Sequence, residues 1–230
     1  MTALHHLSLG ELAIRRPSAT RVLERYALDY CCGGNRSLLD TCRERGLDAE
    51  QVLAEVESAA PEETPADWVE LPPAQLARHL VDTHHRYLHG ELPAVDQLAE
   101  QVRQVHGGRH PELHAVRHLV ALLRADLEPH LRKEELILFP AIEALAAGHR
   151  QFAFGPIDNP IRMMLIEHDH AGELLEELRA ATVAYRTPED ACASYGALYR
   201  RLEALEADTH LHVHKENNAL FPAALRLAGA

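Results

Sequence analysis

HLRKEELILFP, from His130 to Pro140, and HVHKENNALFP, from His212 to Pro222, follow one pattern, H-x-x-x-E-x-x-x-L-F-P, and agree at six of eleven positions. A pattern of this length occurring twice in 230 residues points to two related helix hairpins. Residues four apart lie on one face of a helix, about 5–6 Å from each other. His130 with Glu134, and His212 with Glu216, can therefore each aim an imidazole and a carboxylate at one point. Both pairs interrupt an apolar stripe. Val116, Leu119, Leu123 and Leu127 lead into the first pair and Leu138 follows it; Leu198, Leu202, Leu205 and Thr209 lead into the second and Leu220 follows. An unpartnered carboxylate on a buried face costs several kcal/mol or more. Two of them beside two imidazoles are best explained by a bound cation.

Working outward, four long helical segments are predicted, from about Ala74 to Val105, Pro111 to Leu145, Pro160 to Ala184 and Glu189 to Leu225. The connections are short, as in an up-down-up-down bundle, and no stretch alternates at period two. Each hairpin then owes a ligand from its other helix. The third segment offers His168, on a stripe of Ile161, Met164, Ala171, Leu175 and Leu178; 44 residues separate it from His212. The first offers His85, 45 residues before His130. In antiparallel hairpins these spacings bring each pair to one height. His84 competes with His85: Leu80, Tyr87 and Leu88 share a stripe with the one, Val81, Leu88 and Leu92 with the other. Periodicity barely separates them and leans to His85. His106 lies 21 residues beyond His85, about 31 Å along a helix, which puts it near the connection. His210 and His214 fall on a polar stripe with Arg200 and Glu203. His5, His6, His110, His114, His118 and His149 read as exposed, and Glu167 and Asp169 as candidates to orient an imidazole. Pro129, directly before His130, predicts a kink or widening there.

Four imidazoles and two carboxylates without a thiolate suit iron, or manganese, better than structural zinc. Two carboxylates among four histidines can bridge two metals. Catalytic zinc, which usually takes three protein ligands, is the weaker alternative.

Residues 1–60 read as a separate set of short helices. Ser8 and Glu11 form a capping box, Pro17 and Ser18 restart a helix, Gly33 and Gly34 break it, and Ser37–Arg45 and Asp48–Ala59 are two more helices. The segment APEETPADWVELPP, Ala60 to Pro73, carries four prolines and reads as a linker. The domain plan is thus 1–60, a linker at 61–73, and a bundle over 74–230. Cys31 and Cys32 sit at the predicted turn, where a thiol pair can exchange disulfides, bind iron or react with nitric oxide derivatives, or simply pack a tight turn.

Composition excludes some functions. A net charge of −12 opposes nucleic-acid binding. No apolar run approaches the roughly 20 residues that span a bilayer. The first residues lack the build of a secretion signal, and four scattered cysteines make no disulfide framework. The expected compartment is the cytoplasm.

The stretch LGELAIRRPSATRVLERYALDYCCGGNRSL resembles the N-terminal double-cysteine domain of the iron–sulfur cluster repair di-iron family. HLRKEELILFP, IEHDHAGELL and HKENNALFP resemble its hemerythrin-like domain. The resemblance covers nearly the whole chain. It implies an all-α protein, a small N-terminal helical domain followed by a hemerythrin-like up-down-up-down four-helix bundle. It carries the family's metal positions onto His85, His130, Glu134, His168, His212 and Glu216, choosing His85 over His84 by the ELP that follows. It implies two non-haem irons, carboxylate-bridged and oxo-bridged when oxidised. It also implies a role in restoring clusters damaged by oxidative or nitrosative stress, so that damaged iron–sulfur proteins, small diatomics such as nitric oxide or oxygen, and a homodimer partner are expected. An iron-donating protein is the expectation in preference to a dedicated enzyme. The alternatives are a di-iron nitric oxide reductase and an oxygen-binding or sensing module. A ferritin-like oxidase would need two Glu-x-x-His pairs, and the bundle segments offer only Glu167 with His170.

Overall fold

The computed structural model describes residue 4, residues 7–59 and residues 67–229. Among these there is no strand, only a single antiparallel bridge between Ser8 and Ser37. His5, His6 and the first half of the proposed linker lie outside the described residues.

Four short helices begin the chain: α1 (Leu9–Arg15), α2 (Thr20–Arg25), α3 (Leu38–Arg45) and α4 (Ala49–Ser58). Their starts are set by caps. Ser8 and Glu11 form the reciprocal capping box, and Ser37 and Asp48 accept backbone N–H groups of α3 and α4. Gly46 ends α3 with φ +66, which a residue with a Cβ adopts only at a cost. Leu9, Leu12, Leu23, Leu38, Val52 and Val56 close their own core.

The second half of the proposed linker is structured. Asp67–Glu70 forms a 3-10 turn, and Trp68 is buried against Leu76, Leu80 and Phe221. Burial of one large ring outweighs the turn signal of the flanking prolines, and Pro73 opens the next helix, where its missing N–H costs nothing.

The bundle follows as α5 (Pro73–Leu80) continuing into α6 (Arg86–His106), α7 (Glu112–Lys133) into α8 (Phe139–Ala146), α9 (Asp158–Ala181), and α10 (Ala193–Lys215) into α11 (Phe221–Gly229). Contacts run α6 to α7, α7 to α9, α9 to α10 and α10 to α6, so the four rods close a ring. α9 stops three residues before the sequence reading because Val183, Ala184 and Tyr185 all take φ between +50 and +59. The three breaks within rods are not ends. Val81–His85, Glu134–Leu138 and Glu216–Leu220 are single π turns inside otherwise continuous helices. Pro140 and Pro222 supply the reason for two of them. Each proline lacks the N–H that would bond the carbonyl four residues back, and its ring would strike that carbonyl, so the preceding turn widens. Pro129, by contrast, lies within regular α7, and the widening falls beyond it.

An apolar core fills each side of the π turns. Leu88, Leu92, Leu123, Leu127, Leu175 and Leu202 lie on one side; Leu80, Leu138, Ile142, Met164 and Phe221 lie on the other.

Candidate metal centre

The layer between those two cores is polar. His85, His130, Glu134, His168, His212 and Glu216 are all at most 2% exposed. All six predicted residues converge there. His85 Nε2 is 3.2 Å from His212 Nε2, and His168 Nε2 is 3.2 Å from His130 Nε2. Glu134 Oε2 lies 3.5 Å from His85 Nε2, 3.3 Å from His130 Nε2 and 3.9 Å from His212 Nε2. Glu216 reaches His168 with Oε2 at 3.1 Å and His212 with Oε1 at 3.2 Å. Two quartets result, His85–Glu134–His212–Glu216 and His130–Glu134–His168–Glu216, each with its ligand atoms within 4.8 Å of one another. Both carboxylates belong to both quartets.

The layer demands positive charge. None of the four carboxylate oxygens makes a hydrogen bond, although both residues are wholly buried. Burial opposes charge on His130, yet Glu134 beside it outweighs that and lifts its pKa to about 10. Burial would raise Glu216, but the positive charge of His212 and His168 beside it holds it well below the usual carboxylate range. Imidazole lone pairs facing each other and facing carboxylates suit two cations, one in each quartet.

Outer partners orient the rings. The Nδ1 of His85 meets Glu135 at 2.9 Å, that of His130 meets Glu167 at 2.9 Å, and that of His168 meets Asn217 at 2.8 Å. Lys133 pairs with Glu167. The hydrogen bond from His130 leads the effects that pull Glu167 down to about 2. Of the two sequence candidates Glu167 meets a ring of the polar layer, that of His130, while Asp169 is exposed. Glu135 and Asn217 escaped the sequence reading; each directly follows a stripe glutamate, and that shared position was the available signal.

His84 turns away from the quartets. Its Nδ1 meets Asp208 at 2.9 Å, its Nε2 accepts from Lys215 Nζ at 2.8 Å, and its ring stacks on His212. His106 sits at the far connection, with Nε2 3.1 Å from Cys192 Sγ. His210 and His214 stay outside the quartets, and the polar stripe they share is not open to solvent. His214 is fully buried, with its Nδ1 3.2 Å from the Tyr30 carbonyl, and His210 pairs with Glu24 at 2.8 Å. This face of α10 is covered by the N-terminal helices.

The same helices bring the thiols near. Asp29 accepts the backbone N–H groups of Cys31, Cys32 and Gly33. Cys31 is buried, and its Sγ donates to Asp29 at 3.1 Å; Cys32 is partly exposed, and the two sulfurs stand 3.8 Å apart, unbridged. The hydrogen bond with Cys32 and burial push the Cys31 thiol well up. Both line a cleft of about 390 Å³ with Asp169, Gly172 and Glu173 of α9. Asn217 and Asn218 each donate to the Cys31 carbonyl at 3.3 Å, tying the thiol loop to the π turn that carries Glu216.

No helix among the described residues is long and apolar enough to cross a membrane. Comparison with known sequences matches residues 76–224 to the hemerythrin HHE cation binding domain, and residues 6–60 to ScdA_N, described as a domain of unknown function. The chain is 35% identical over 217 residues to the iron–sulfur cluster repair protein YtfE of Escherichia coli (strain K12 / DH10B). It has the same identity to the protein of that name from Shigella boydii serotype 18 (strain CDC 3083-94 / BS512). In both cases the match covers 94% of this chain and 96% of the relative.

Proposed function

Since the chain belongs to the hemerythrin HHE family, and within it to the iron–sulfur cluster repair proteins, we propose that it holds two iron ions and returns iron to damaged iron–sulfur clusters. The observation that carries this is the pair of buried quartets sharing Glu134 and Glu216. In this reading His85 and His212 would hold one iron and His130 and His168 the other, with Glu134 and Glu216 shared by both. Bound iron supplies a ferrous ion that can be given up, together with open positions for a small diatomic such as oxygen or nitric oxide. The residues supply the rest. The Nδ1 partners of His85, His130 and His168 aim the Nε2 of each ring at the metal position, and the flanking leucine layers exclude water. Glu134 and Glu216, which belong to both quartets, would hold both ions, and a ferrous ion held there could be passed on with no change of oxidation state.

Damaged iron–sulfur proteins are the partners this activity requires. A reducing cytoplasm suits ferrous iron and the free thiols. The homodimer is read by light scattering of the iron-loaded chain. The names of the relatives give repair, not nitric oxide reduction, and the reductase alternative is not carried further.

The test is iron transfer. Reduced, iron-loaded protein is mixed anaerobically with a cluster-deficient acceptor, sulfide and thiol. Recovery of cluster absorbance in step with iron lost from the donor is expected. Transfer no faster than from the same concentration of free ferrous iron with the metal-free chain contradicts the reading.

A further inference from the structure

The two halves of the centre repeat each other residue by residue, and the repeat breaks at one functional position. The residue after each bridging glutamate accepts from the first-helix histidine of its own hairpin: Glu135 from His85, Asn217 from His168. The residue before each first-helix histidine meets the lysine of the other motif: Glu167 pairs with Lys133, and His84 accepts from Lys215. Glu167 also accepts from the Nδ1 of His130. By the same symmetry His84 ought to serve the Nδ1 of His212. It cannot, because an imidazole whose two nitrogens are already engaged by Asp208 and Lys215 has no acceptor left. It stacks on His212 instead, with ring centroids 5.5 Å apart and planes 9° from parallel. Among the described residues the Nδ1 of His212 is buried and without a hydrogen-bond partner.

Three of the four imidazoles thus have an acceptor that raises their donor strength, and His212 has none. Where His130 faces a carboxylate, His212 faces a ring bonded to an ammonium. Loss of such an outer partner lowers metal affinity about 10- to 100-fold. We propose that the two metal positions are inequivalent, and that the one between His85 and His212 is the labile position from which iron is handed over. The position between His130 and His168 is the resident one. The inference rests on the di-iron reading above and names which half of that site acts as donor. His84, tied to Lys215, is the positioning residue responsible.

Anomalous diffraction from crystals of the full chain, made metal-free and given one equivalent of ferrous iron without oxygen, separates the two positions directly. Density at the His130–His168 position with little at the other is expected. Release from fully loaded protein to a ferrous chelator should be biphasic, with rates about 10- to 100-fold apart. His84→Glu restores the missing acceptor beside Lys215 and should slow the fast phase; Glu167→Gln should speed the slow one. Equal occupancy, or first filling at His85–His212, overturns the inference while leaving the di-iron reading intact. No iron at either position sinks both. The wild-type crystals decide the question even where a variant fails to fold.

Discussion

At the residue scale, three of the four converging imidazoles are held from outside, by Glu135, Glu167 and Asn217. His130, Glu134, His212 and Glu216 repeat at helical spacing inside apolar stripes, so two patterns must coincide before they stand out, and they do. Glu135 and Asn217 lie just off those stripes, where a carboxylate or amide reads as surface, and His84 reads as a rival of His85. Only the fold brings Glu135 to His85 and Asn217 to His168, 50 and 49 positions apart, and ties His84 to Asp208, 124 positions away. Replacing Glu135 with Gln, or Asn217 with Ala, should weaken binding of one ferrous ion about tenfold to hundredfold, read by competition with a chelator. His106→Ala should leave iron content unchanged, because that ring meets Cys192 and not the quartets. The thiols separate in the same way. Cys31 is buried and bonded to Asp29 while Cys32 is half-open, so iodoacetamide near neutral pH should label Cys32 well before Cys31 in peptide maps. Equal labelling would contradict the geometry.

At the element scale, the four rods and their order follow from periodicity, and the π turns do not. Helix wheels assume 3.6 residues per turn, and a single widened turn leaves the apolar stripe nearly in phase. Two of the three turns had a signal in the shared L-F-P, since Pro140 and Pro222 each break the ladder one turn after a bridging glutamate. Pro129 drew attention because it adjoins His130, yet α7 absorbs it. Nothing in the sequence marks the turn at Val81–His85. Each of the three π turns carries a predicted ligand at one of its ends. Pro140→Ala should let Glu134–Leu138 relax towards regular helix. The metal-free chain should then melt higher, while iron affinity falls. Unchanged affinity, measured by titration with ferrous iron, would mean the widened turn has no part in placing Glu134.

At the scale of the whole molecule, the sequence divides the chain by composition, but it hides how the two parts meet. The polar stripe that seemed to expose His210 and His214 is instead the seat of the N-terminal helices, with Tyr30 packed edge-on against both rings. Glu24 and His210 form the ionic part of that contact. Burial would raise Glu24, but His210 holds it below its usual 4.5; burial would lower His210, but Glu24 lifts it above its usual 6.5. The stability from Glu24 is present above pH 4.5 and fades as pH falls through its folded value. That from His210 is present below pH 6.5 and fades as pH rises through its folded value. The pair therefore contributes most between these limits. Being partly open to solvent, it is worth about 1 kcal/mol. Glu24→Gln should lower Tm most near pH 5.5 and least near pH 9, at constant iron content; a pH-independent loss would contradict the pairing. The functional reading depends on the polar layer holding two irons. Metal analysis with Mössbauer spectroscopy on protein isolated without oxygen, then oxidised, tests that most directly. The account predicts two irons per chain, spin-coupled through a shared bridge, and loss of the coupled signal in Glu134→Gln. A single uncoupled iron, or stoichiometric zinc in its place, would contradict it.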